Sequence, residues 1–349
     1  MSCIVRNRAG MLHYGASHYH TEEMHAPDYC AGQIVKDCTR SGISIEEFAH
    51  SKIILSFLNE GFGPDNIEPL IRILSQSHPG RFMVLFNAHI DVDQLPYPAH
   101  CCTTWLINRS EYKLDQLDYN FDIALDRKFL CLLRRPTLNR ARLARFFLDN
   151  IGPDAVRLSF GSGSQGGLDQ YRDVVGVDLP LLVDGMLTDR VQEFDVTNPI
   201  FHSCLFNIVA ETSSQTEYCA NTPVWRGVFL TEKTWKAVMQ RQIPIWYGVP
   251  GLVKHVRSLG FDVFNDILDA HRYDGIQNET QRHQSVFDLI NQLNQQYNLA
   301  DCQKLRQQLQ PRLEANFEQL LEYFRTNRRQ VSNAILEFDY QTGLTTRSK

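Results

Sequence analysis

Short unbroken apolar runs alternate with helix-period segments along most of the chain, and this alternation leaves few folds open. SKIILSFL (51–58) and RFMVLFNAHI (81–90) flank a segment, 67–77, in which Ile67, Leu70, Ile71 and Leu74 recur at helical spacing. An unbroken run suits a strand covered on both faces, because a strand with one wet face alternates apolar and polar residues. Strand, helix, strand with short connections predicts parallel α/β units. The pattern recurs further on. FLCLL (129–133) is a strand, 139–150 a helix and AVRLSF (155–160) a strand. SCLFNIVA (203–210) is a strand, 231–241 a helix and IPIWY (243–247) a strand, with Pro244 tolerable near its start. Residues 1–50 read as irregular. Residues 107–128 are polar and read as a crossing between domains. Beyond 280 the chain turns glutamine-rich, with apolar residues at helical spacing, which predicts helices packed on the body. The expected division is 1–125, 126–280 and 281–349: two Rossmann-like α/β domains and a helical C-terminal segment.

At 349 residues the chain exceeds one ordinary core, which supports two domains. A net charge of −5 gives no global attraction to nucleic acid or anionic lipid. Nine cysteines without a CxxC or a framework spacing predict reduced thiols. MSCIVRNRAGMLHYG has no long apolar core, so no signal peptide is expected. No run of about 18 apolar residues predicts an integral membrane segment. Together these lead to the expectation of a cytoplasmic protein.

In parallel sheets ligands bind beyond the carboxyl ends of the strands. Three junctions there draw attention. The first carries Arg134, Arg135 and Arg140. The second is the glycine-rich GSGSQGG (161–167), whose backbone N–H groups, Ser162 among them, suit an anion. The third joins Glu211 to Thr231-Glu232-Lys233 at the start of a helix. Thr231 is a good N-cap and Glu232 suits the positive end of the helix dipole. Lys233 does not, and is disfavoured there by roughly 0.3–1 kcal/mol. A bound phosphate would compensate it. So would a surface carboxylate, or exposure to solvent.

SCLFNIVAETS followed by GVFLTEKTWKAVMQRQIPIWYG resembles the signature of the α-1,3-fucosyltransferases. In that family a strand ends in Phe-Glu-Asn-Ser/Thr. A Tyr-Val-Thr-Glu-Lys block, a helix and a Val/Ile-Pro-Ile/Val strand follow. LLRRPTLNRARLARFF and VRLSFGSGSQGG resemble the family's Asn-Pro loop, arginine, helix and glycine-rich segment, so the likeness spans roughly 129–275. Thr212 stands where the family has Asn, Phe229 where it has Tyr, and 213–228 is longer than usual. The resemblance implies an inverting, metal-independent glycosyltransferase of GT-B architecture. Its donor would be a nucleotide sugar, with GDP-fucose one candidate, and its acceptor a glycan. Lys233 and Arg140 would meet the donor diphosphate, Glu232 the ribose and Phe229 the base. Glu211 matches the glutamate of the Glu-Asn pair, and Thr231 belongs to the same donor-binding block.

The general base is not carried by the motif. Glu60, directly after the strand run 51–58, is the candidate, against a role as a loop or helix cap. Asp91-Val92-Asp93 has the DxD form of the GT-A metal motif but lies in the other half of the chain. His13, His18, His20 and His25 lack a metal-binding spacing. Two other functions remain: a glycosyltransferase acting on a modified base of nucleic acid, and a non-catalytic nucleotide- or glycan-binding module.

Overall fold

The computed structural model describes residues 3–6, 12–15, 27–57, 68–86, 95, 97–101, 119–134, 136–161, 168–181, 199–211, 228 and 230–347. The architecture is α/β, with parallel sheets and a helical C-terminal segment. Contacts divide the chain into two units. One comprises 1–110, 217–229 and 324–349, and the other 111–216 and 230–323. The C-terminal helices, expected to stand together as 281–349, are thus shared between the units rather than set apart.

The first unit carries strands β1 (Cys3–Arg6), β2 (Leu12–Gly15), β3 (Ile53–Phe57), β4 (Phe82–Phe86) and β5 (Ala99–Cys101). They lie in sequence order. β1 pairs antiparallel with β2, and β2 through β5 pair parallel. Each parallel strand is therefore added at the same edge. Right-handed crossovers then put every connecting helix on one face. Helices α1 (Pro27–Ser41), α2 (Ile45–His50) and α3 (Glu68–Ser77) do share one face. Their Ile34, Cys38, Phe48, Leu70, Ile71 and Leu74 pack on Leu12, Ile53, Leu55, Phe82 and Val84. The strand residues between these, Ile54, Met83 and Leu85, face the other way.

The described residues of the region 1–50, expected to be irregular, form two strands and two helices. α1 places Ile34 and Cys38 one helical turn apart on the face that packs on the sheet. α2 carried a local signal that this reading passed over: Ser44 Oγ accepts the N–H of Glu47 at 2.9 Å, the first half of a Ser-x-x-Glu capping box.

The second unit carries β6 (Arg127–Leu133), β7 (Val156–Phe160), β8 (Cys204–Ala210) and β9 (Ile243–Tyr247). All pair parallel, in the order β7-β6-β8-β9. Helix α4 (Leu138–Asn150) joins β6 to β7, and α5 (Asp169–Val175) follows β7. Helix α6 (Glu232–Met239) joins β8 to β9. Then come α7 (Leu252–Ser258), the one-turn α8 (Asn265–Leu268) and α9 (His271–Asp274), α10 (Glu279–Gln296) and the long α11 (Leu299–Arg347). Phe129 stacks on Phe206, and Phe146 of α4 lies parallel to Phe287 of α10 with centroids 4.4 Å apart. Lys128 Nζ donates to the carbonyls of Asn294 and Tyr297, placing a cation at the negative end of α10. The fully buried Arg306 of α11 donates to the carbonyls of Phe121, Ile123 and His202. Residues 119–126, expected in a crossing between domains, are thereby fastened within this unit.

In the first unit, Val331, Ala334, Ile335 and Phe338 of α11 cover Ile54, Met83 and Leu85. Their spacing makes one helical stripe. Lys52 Nζ reaches Asp339 Oδ1 at 2.5 Å and its carbonyl at 3.0 Å. The second face of the sheet is thus roofed by a segment far downstream of its strands, Lys52 and Asp339 being 287 residues apart.

Candidate functional site

Strand order in the second unit reverses at β6: β7 is added on one side of it, β8 and β9 on the other. Chains leave the carboxyl ends of β6 and β8 toward opposite faces, which opens a crevice between them. Two of the three expected junctions meet here.

At the first, Thr137 caps α4, its Oγ1 accepting the N–H of Arg140 at 3.3 Å. Arg134 follows β6 directly and is exposed. Arg140 is only 3 % exposed, and its Nη2 donates to the carbonyl of Ala210, the last residue of β8, at 2.6 Å. It therefore spans the reversal from α4 to β8. Expected at the phosphate, it is placed at the crevice but engaged by backbone.

At the second junction Glu211 follows β8 directly, its N–H bonded to the Tyr247 carbonyl of β9 at 3.1 Å. Its carboxylate is buried against the start of α6. Oε1 accepts the main-chain N–H of Thr231 at 3.1 Å and Thr234 Oγ1 at 2.8 Å. Oε2 accepts Thr231 Oγ1 at 2.5 Å. Thr231 Oγ1 in turn accepts from Lys233, from N at 3.2 Å and from Nζ at 3.1 Å. The anion that the misplaced lysine required is present within the chain. Gly248 lies beside it: a Cβ there would make an ordinary 3.6 Å contact with the Cβ of Glu211 and a close 2.9 Å approach to Leu252 Cδ1.

At the third junction only Gly161 is described. It turns away from β7 with φ +78°, a conformation that favours glycine, and a Cβ would fall 2.5 Å from a Leu168 methyl, which would have to move. Arg135, Ser162, Phe229, Glu60, Asp91, Asp93, His18, His20 and His25 lie outside the described residues, as do the side chains of His13 and Glu232. Glu232 opens α6 by its backbone.

Three features around the crevice were not read from the sequence. Asp274 of α9 accepts the N–H groups of Val253 and Lys254 at 2.8 and 2.9 Å, so a second helix start, that of α7, is also met by an internal carboxylate. Its N-cap Gly251 has no side chain to do this. Tyr247 stacks on His283 of α10 at 4.1 Å and donates its hydroxyl to the Asn139 carbonyl. Burial pushes the Tyr247 phenol up and the His283 imidazole down to about 4, with Arg282 and Arg142 adding to the latter. The His283 ring lies 3.8 Å from Glu279, which accepts from Asn139 Nδ2 at 2.6 Å. Arg282, 2 % exposed, donates to the carbonyls of Gly248, Ile276 and Gln277.

Among the described residues no three His, Cys, Asp or Glu side chains gather as a metal site. Cys38, Cys131, Cys204 and Cys302 are buried free thiols. No described helix is long and apolar enough to cross a membrane. Comparison with protein-family models, with curated proteins and with solved structures finds no match.

Proposed function

We propose that the crevice between β6 and β8 binds the diphosphate of a nucleotide sugar, and that the protein is an inverting glycosyltransferase of GT-B type. The observation that carries this reading is that Arg140 reaches the last residue of β8, next to the Glu211 that holds the start of α6 with Lys233, at the strand-order reversal of a parallel sheet. The Thr-Glu-Lys block that resembles the fucosyltransferase signature falls at that place. In the reaction the acceptor hydroxyl attacks the anomeric carbon from the face opposite the leaving diphosphate, and the glycosidic oxygen departs with its electron pair. Lys233 and Arg140 stabilise the charge that develops there. A carboxylate, for which Glu60 is the candidate, takes the hydroxyl proton. GDP-fucose is the first donor to try, and a glycan the first acceptor.

A thermal-shift screen of the full chain against nucleoside diphosphates and their sugars tests this. A hundredfold excess over Kd stabilises the folded state by about 2.7 kcal/mol. Lys233→Ala is expected to abolish most of that shift while leaving the ligand-free melting temperature within a few degrees. No shift with any of these ligands would refute the reading.

A further inference from the structure

We propose that the second unit binds a small monovalent anion, of the size of chloride, beside the Arg306 guanidinium at the amino ends of β6, β8 and β9. This is the end of the sheet opposite the crevice, so the inference is independent of the diphosphate reading. The side chains concerned stand just ahead of three strands: Tyr119 before β6, His202 before β8 and Arg241 before β9. The Tyr119 and His202 rings stack, with centroids 4.8 Å apart and planes 24° from parallel. Arg306 of α11 joins these segments. Its Nη1 donates to the His202 carbonyl at 3.0 Å, and its Nη2 to the carbonyls of Phe121, at 2.7 Å, and Ile123. The Arg241 guanidinium carbon lies 5.5 Å from the Tyr119 ring centre and 3.5 Å from that of Phe317.

Three polar atoms of this cluster are buried without a hydrogen-bond partner among the described residues: Tyr119 Oη, His202 Nδ1 and Arg306 Nε. The Arg306 side chain approaches the Tyr119 hydroxyl without closing a hydrogen bond to it. An arginine nitrogen can only donate. Burial pushes the Tyr119 phenol up, so it keeps its proton and donates as well. Burial, with Arg241 and Arg306 adding to it, pushes the His202 imidazole down. The neutral ring carries its proton on Nδ1 in one of its two tautomers. An acceptor placed here therefore meets three donors.

The charges point the same way. Arg306 is fully buried and Arg241 is 5 % exposed, and buried charges are ordinarily paired. Glu314 pairs with Arg241 at 3.3 Å, and Glu318 adds a weaker attraction to it. The partners of Arg306 among the described residues are main-chain carbonyls. A water would join two donors but bring no counter-charge to that guanidinium. A monovalent ion supplies both, whereas a phosphate carries more charge than one guanidinium matches. Tyr119 and His202 are only partly buried, which gives the ion a way in.

The test melts the full chain in chloride, bromide and gluconate salts at equal ionic strength. Chloride and bromide should raise the melting temperature saturably, by about 5 °C or more at a hundredfold excess over Kd, and gluconate should not. Tyr119→Phe keeps the ring contacts and removes the hydroxyl. It is expected to weaken halide binding about tenfold while its melting temperature in gluconate stays near that of the wild type. Crystals of the full chain soaked in bromide should show an anomalous peak beside Arg306 Nε. Three results would each overturn the proposal: water alone at that place, equal melting of the wild type in bromide and gluconate, or unchanged halide affinity in Tyr119→Phe. Should Tyr119→Phe not fold, the wild-type melts and the bromide map still decide.

Discussion

The two sheets are built from the same kind of segment and end differently. In the first, β2 to β5 follow one another in order, and the three helices lie on one face. In the second, the order reverses at β6 and the strand ends part to form a crevice. Local sequence makes strands and helices in both. The order of addition decides which unit gains a crevice from topology alone. It also decides which is left with a bare face, and the first sheet meets that need with α11.

The comparison can be broken most severely at that cover. Phe338→Ala removes a buried ring from the stripe over Ile54, Met83 and Leu85, and is expected to cost about 3–5 kcal/mol. Hydrogen exchange should report the loss in β3 and β4, with β6 and β8 little changed. Equal deprotection of both sheets would mean that the units do not behave separately.

Acid should act more strongly on the second unit. His283 is held at about 4 against an ordinary 6.5, so its neutral form is the one the fold prefers. The unfolded chain binds the proton first. The stabilisation is therefore complete above about pH 6.5 and is lost as pH falls toward 4, by about 3 kcal/mol in all. His283→Phe should flatten that part of the stability–pH curve. The first unit's buried His78 is also shifted down by burial, but its two ring nitrogens contact Ser77 and the Phe48 carbonyl, so the corresponding His78→Phe should change stability at every pH. The smallest effect is expected at Lys52→Met. The Lys52–Asp339 pair is partly exposed, and chemical denaturation should register at most about 1 kcal/mol.

How much was legible followed the range of the interactions. Strands such as 53–57 and 129–133 announce themselves because burial on both faces demands unbroken apolar runs. α1 was passed over although Ile34 and Cys38 stand at helical spacing, because its remaining residues are mostly polar. Strand order was invisible: nothing in β6 says which neighbour joins which edge. At the site, the Thr231 cap and the anomalous Lys233 could be read locally. What neutralises the lysine could not, because Glu211 lies 20 residues upstream, and Asp274 lies a similar distance from the helix start it serves. Arg140 was placed at the junction, but its bond to the Ala210 carbonyl could not be read, since that carbonyl belongs to another strand.

The roof over the first sheet has a consequence for the protein's birth on the ribosome. β3 and β4 emerge early, yet Val331 to Phe338 are made far later, Lys52 and Asp339 being 287 residues apart. At 5–20 residues per second that is on the order of 10–60 s during which Ile54, Met83 and Leu85 have no lid. A nascent chain stalled within that interval would present an adhesive apolar surface to its neighbours on the polysome. Chaperone engagement of this protein should therefore end late, when the stripe of α11 clears the exit tunnel.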